Sequence, residues 1–199
     1  MKPPALLLFS TLALCSCKNA AAPPAPVVAA SPDRIDVLAK HLPTAGQADM
    51  DADPVVVRFE KFAVTKAHFD PKNLEGGTAT VELDLTSIKS GDTERDDDLK
   101  SAKFLDAARL ATITIDVANV KKQDAKYTAD ATVACHGVTK LYPIAFTVTA
   151  TTADSVTIEG KKAFSRLDFA VGVDPAKDPT ERVDTALILE WTLTIKNRS

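Results

Sequence analysis

Ala79, Val81, Leu83 and Leu85 alternate along the chain with Thr78, Thr80, Glu82 and Asp84. Period two predicts a strand with one dry face, because successive side chains of extended backbone point to opposite sides. The signature returns at Ile113, Ile115 and Val117, and again at Tyr127, Ala129, Ala131 and Val133 against Lys126, Thr128, Asp130 and Thr132. Tyr142, Ile144, Phe146 and Val148 make a further apolar face. Leu187, Leu189, Trp191, Leu193 and Ile195 make the longest, opposed by Ile188, Glu190, Thr192 and Thr194. Weaker strands are expected at 55–64, 155–160 and 164–173. Eight strands of this kind predict an all-β domain, an antiparallel barrel or sandwich.

His136-Gly137 falls between two of these strands, and glycine at the second loop position accepts the positive φ of a tight hairpin. Strand 126–135 is therefore expected to pair with 138–149. Two short helices are expected. One covers Asp33 to His41. The other covers Thr93 to Leu105, where Thr93 and Asp96 stand three apart, as in a capping box, and acidic residues fill the first turn.

Composition narrows the function more than the fold. The 199 residues carry a net charge of −3 and 45% hydrophobic residues, which excludes wholesale disorder and leaves no basic block for nucleic acid. Only 7 glycines are present, and no phosphate-cradle, nucleophile-elbow, HExxH or CxxC motif occurs. No cofactor is expected.

The N-terminus reads as an export signal. Met1-Lys2 is followed by an apolar run from Ala5 to Leu14, far short of the about 20 residues that span a bilayer. Leu14-Cys15-Ser16-Cys17 resembles the lipobox of bacterial lipoproteins, with cleavage before Cys17 and acylation of that cysteine; a plain secretory signal is the alternative. The expected organisation is a signal peptide at 1–16, an Ala/Pro-rich tether at 17–33 and one domain at 34–199. Pro stiffens the tether toward polyproline II. A lipidated Cys17 leaves Cys135 without a disulfide partner, so the core must hold the domain. The expected location is the periplasm, anchored to a bacterial membrane and by preference the outer one.

Three segments carry a resemblance. Thr93-Glu94-Arg95-Asp96-Asp97-Asp98-Leu99-Lys100-Ser101 with Phe104-Leu105-Asp106 resembles the RDxHL…S…FFD segment of the YceI-like family. Residues 127–140, ending in His136-Gly137-Val138-Thr139-Lys140, are similar to its GVTK-type hairpin, and Phe164-Ser165-Arg166-Leu167-Asp168-Phe169 to its R-x-DF segment. Order and spacing agree over roughly 54–196. Asp98 stands where the family commonly has His, and Ala170 where it has Gly after DF; the latter reads as packing variation. The resemblance implies an eight-stranded lipocalin-like barrel that binds a polyisoprenoid or similar long apolar molecule.

A barrel of eight strands is just wide enough to fill with side chains or to hold one small ligand. The pattern fits a filled core as well as a cavity, and the resemblance favours the cavity. The lumen candidates are Val81, Leu83, Leu85, Ile113, Ile115, Ile144, Phe146, Val148, Leu167, Phe169, Leu187, Leu189 and Trp191. The function expected is binding or carriage of a long apolar lipid; the alternative is a filled-barrel interaction or stress protein acting through a surface partner. No enzyme is expected. The acidic run Asp92, Glu94, Asp96, Asp97, Asp98 has no glycine for a calcium-loop turn and reads as a solvated helix start. His41, His68 and His136 show no metal spacing, and His136 reads as a turn residue. Cys135 reads as a buried apolar group, and Arg166 with Asp168 as a structural ion pair or rim contact.

Overall fold

The computed structural model describes residues 33–42 and 53–198. The expected signal peptide, the acylated Cys17 and the tether up to residue 32 lie outside the described residues.

One antiparallel sheet of ten strands curls around a single core. In chain order these are β1 (Arg34–His41), β2 (Val55–Phe59), β3 (Phe62–Asp70), β4 (Asn73–Asp84), β5 (Ile88–Lys89), β6 (Thr112–Gln123), β7 (Lys126–Cys135), β8 (Val138–Thr151), β9 (Ser155–Ser165) and β10 (Val183–Lys196). The sheet order is β3-β4-β6-β7-β8-β9-β10-β1-β2-β5. Strands β2 and β3 are one bent strand, interrupted only at Glu60-Lys61, and β5 continues β4 past a 3₁₀ turn at Leu85–Ser87. The sheet thus has ten strands where eight were expected, because two of the expected strands are each broken in two. The ring also closes where the Arg198 amide donates to the Ala67 carbonyl at 2.8 Å, joining β3 to the end of β10.

The β7–β8 hairpin pairs as expected, with Cys135 opposite Val138. His136 (φ 49°) and Gly137 (φ 75°) both take left-handed backbone, which matches the right-handed twist of the flanking strands.

Four expectations are corrected. Asp33 to His41 is not a helix: β1 sits between β10 and β2, with Val37 opposite both Leu189 and Val57. Ile35, Val37 and Ala39 had the strand period all along, and pairing on both sides decides the matter. The second helix, α1 (Thr93–Lys100), stops short of Leu105, because Ser101 turns extended and its hydroxyl donates back to the Asp98 carbonyl. Its N-cap is Asp92, whose carboxylate accepts from the Arg95 amide at 2.9 Å, so the Thr93/Asp96 box does not form. The strands expected at 155–160 and 164–173 are one strand followed by a 3₁₀ turn at Arg166–Phe169.

The connections divide the barrel's two ends. The β3–β4, β6–β7 and β8–β9 turns lie at one end, where Leu74, Val120, Val156 and Ile195 are buried. The opposite end carries α1, the β7–β8 turn and the long β9–β10 connection.

Candidate functional site: an apolar lumen with one charged mouth

A row of residues in register crosses five strands. Ile35 faces Trp191, Trp191 faces Gly160, Gly160 faces Phe146 and Phe146 faces Tyr127 in the strand registers. The Tyr127 and Phe146 rings stack at 5.6 Å and 13°. The barrel is not filled: it holds a cavity of about 570 Å³. That volume lies within the roughly 300–1,000 Å³ usual for small-molecule sites.

Of the expected lumen residues, Val81, Leu83, Ile113, Ile115, Ile144, Phe146, Phe169, Leu187, Leu189 and Trp191 line the cavity. Leu85, Val148 and Leu167 do not. Leu85 is fully buried in the 3₁₀ turn that leaves β4, and Leu167 lies in the turn after β9, so neither keeps the strand's inward direction. Val148 packs against the core beside a register shift in β8. Sequence reasoning missed Ile35 and Val37, which the helix expectation over β1 concealed, and Phe164 and Lys162, which lie on the inward face of β9.

Polar lining gathers at one end. Asp92, Glu94, Arg95 and Asp98 of α1 and its cap border the opening, with His41 at the end of β1. The acidic run is thus a rim, mostly solvated as expected, with one exception. Asp96 is buried, and accepts from the Ser90 amide and the Ser90 hydroxyl, both at 2.7 Å, with Lys89 Nζ at 3.4 Å. Burial opposes its ionisation, yet the Ser90 hydrogen bonds and Lys89 outweigh it and hold the carboxyl below the usual range.

Of the two roles expected for Arg166 and Asp168, the ion pair does not form. Arg166 is buried and donates to the carbonyls of Asp184, Val171, Val173 and Val183 at 2.8–3.1 Å, with Glu181 at 3.9 Å. It clamps the β9–β10 connection onto the barrel end, satisfying buried carbonyls that would otherwise cost desolvation energy. Asp168 instead accepts the Tyr142 hydroxyl at 2.8 Å. The 3₁₀ turn curls the backbone between the two residues, and their expected strand relationship disappears. Cys135 is buried, and burial pushes its thiol up to about 11, which keeps it protonated at neutral pH and unsuited to nucleophilic attack. His136 is the turn residue expected, with Nδ1 3.1 Å from the Phe169 carbonyl.

An antiparallel barrel with an apolar lumen and a helix at its mouth defines a lipocalin-like fold. The chain belongs to the YceI-like family, whose domain it matches over residues 34–195. It is 35% identical to Protein YceI of Escherichia coli over 72 residues, 36% of this chain and 38% of that protein. A UPF0312 protein of Vibrio cholerae is 32% identical over 84 residues. That match spans 44% of the Vibrio cholerae protein and 42% of this chain. Solved structures share the fold. Burkholderia cenocepacia BcnA superposes with a TM-score of 0.70 at 21% identity, covering 82% of this chain and 96% of that one. A polyisoprenoid binding domain from Saccharophagus degradans, implicated in plant cell wall breakdown, gives 0.61 at 14% identity, covering 85% and 96%.

Proposed function

We propose that this protein binds and carries one long apolar lipid of the polyisoprenoid kind, as a lipoprotein tethered to a membrane facing the periplasm. The cavity is the observation that carries the reading. It is walled by aliphatic and aromatic side chains, and polar groups of α1 and its cap border one end. Burying ten methylene equivalents there contributes about 8 kcal/mol before the costs of association. Such a ligand needs no signature motif, which accounts for the silence of the sequence. The polyisoprenoid binding domain among the fold relatives supports the ligand class. The Ser16-Cys17 lipobox supports the tether.

Trp191, the chain's one tryptophan, lines the lumen and supplies the test. Delipidated protein titrated with a long isoprenoid should show a saturable, one-to-one change in indole emission, and short polar analogues should not produce it. A flat titration of verified folded, delipidated protein overturns the carrier reading.

The alternative of a surface partner retains one supporting observation, although its premise of a filled barrel is lost. Outside the barrel, Leu38 stands opposite both Val56 and Ile188, and the latter two are exposed. Charging this outward stripe with Ile188→Lys would abolish a partner-dependent phenotype and leave the isoprenoid titration unchanged.

A further inference from the structure

The inward face of β9 carries Val156, Ile158, Lys162 and Phe164 as cavity lining, with Gly160 among them beneath Trp191. One of these is a cation. Lys162 stands opposite Leu189 in the register, at a level where the neighbouring wall is Val37 and Leu189. An aliphatic residue would complete that wall, so the ammonium needs a reason.

Among the described residues, no carboxylate forms an ion pair with it. The pairs Arg58–Asp36, Lys89–Asp96, Arg109–Asp106 and Arg166–Glu181 occupy other cations. Lys162 is in none of them. Its Nζ lies 5.8 Å from the centroid of the Tyr142 ring, whose hydroxyl is already given to Asp168. A ring face attracts an ammonium without neutralising it. Arg166, another cation of the lining, is saturated by four carbonyls, and Arg95 sits at the rim among Asp92, Glu94 and Asp98. Among the described lysines and arginines of the lining, the charge left for a ligand inside the wall is that of Lys162.

Filling the lumen sharpens the point. In an empty barrel, water can solvate the ammonium. An entering alkyl or prenyl chain displaces that water, and an unpaired charge in an apolar site is costly. A ligand that brings its own anion removes the cost. From the level of Leu189 to lining residue Ile195, β10 runs roughly 20 Å, enough for an extended chain to pass Trp191 with its head held at Lys162 and Tyr142.

We propose that Lys162 is the headgroup subsite of the lumen and selects single-chain amphiphiles with an anionic head, a carboxylate or a phosphate monoester. This rests on the lipid-binding reading above, and the two can fail separately.

Hexadecanoate and hexadecan-1-ol, equal in chain length and differing in head charge, are titrated into delipidated protein with Trp191 emission as the readout. The expected result is at least tenfold tighter binding of hexadecanoate. Lys162→Met, close in volume, should erase the preference while retaining the alcohol, and Lys162→Arg should restore it. Acetate alone should produce no change. Equal affinities in the wild-type protein, or a preference that survives in folded Lys162→Met, overturn the subsite and leave lipid carriage standing. Failure of both amphiphiles and of the long isoprenoid overturns carriage itself, and the subsite with it. Equal wild-type affinities overturn the subsite even if Lys162→Met does not fold, and Lys162→Arg then serves as the folded variant.

Discussion

The indole of Trp191 lies directly over Gly160: a Cβ built on Gly160 would sit 2.2 Å from Cζ2 and 2.6 Å from Cε2 of that ring. It would also stand 2.8 Å from the Ala145 carbonyl oxygen, so the strand as well as the ring resists it. Glycine in mid-strand is ordinarily a weakness, and here it is a seat for the largest side chain of the lumen.

Gly160→Ala should therefore destabilise the protein by about 1–3 kcal/mol, the usual range for overpacking a core. The urea midpoint should fall at unchanged slope, and lifting the indole into the cavity should alter Trp191 emission without ligand. A variant with wild-type midpoint and emission would show that the ring is not seated on the glycine.

Ala170 ends the 3₁₀ turn in left-handed backbone, φ 55° and ψ 34°. Its place after Asp168-Phe169, where the family has glycine, is thus a matter of backbone strain and not of packing variation. The strain for an L-residue is about 1–2 kcal/mol, and the added freedom of glycine in the unfolded chain returns about 0.4–1 kcal/mol of it. Ala170→Gly should accordingly stabilise by a net of about 0.5–1 kcal/mol. Chemical denaturation at neutral pH checks the sign.

Asp96 links the mouth helix to acid stability. Its folded-state pKa lies below the ordinary 3.8, so its contribution is fully present above that value. The contribution is lost as pH falls through the folded pKa. Asp96→Asn should cost about 1–3 kcal/mol at neutral pH, by leaving Ser90 and Lys89 imperfectly paired. The gap between variant and wild type should close in acid. A gap that stays constant down to the acid transition would exclude the linkage.

Alkaline stability should be limited by Cys135 and Tyr142. Burial raises the Cys135 thiol from 9.0 to about 11. Burial, then the hydrogen bond to Asp168 and the Asp168 charge, raise Tyr142 above its ordinary 10.0. Both groups ionise more readily in the unfolded chain. Their stabilising effect is full below the unfolded values and is lost as pH climbs through the folded ones. The unfolding temperature should decline beyond pH 9.0, and Cys135→Ala should flatten the part of that decline between 9.0 and about 11. An equal decline in both proteins would remove Cys135 from the account.

Much of the wall was readable from alternation alone. Val81, Leu83, Ile113, Ile115, Ile144, Phe146, Leu189 and Trp191 sit on uninterrupted period-two stretches, and each lines the lumen. A strand pairs locally with its neighbours and keeps its pleat, so direction follows from sequence position. The β7–β8 turn was equally plain, because His136-Gly137 specifies its own backbone. Legibility stopped where tertiary contacts override local preference. β1 becomes a strand because β10 and β2 flank it, and Arg166 and Asp168 part because a 3₁₀ turn forms between them. The lumen shows the same divide. Sequence determined which faces are dry, through the alternation of side chains. Whether those faces meet or stand apart around about 570 Å³ depends on how the strands tilt and close, which no single strand encodes. Tertiary structure also decided the place of Lys162. Its strand contains a central Gly160, and without the curl of the sheet around Trp191 nothing distinguishes a lysine facing the lumen from one facing water.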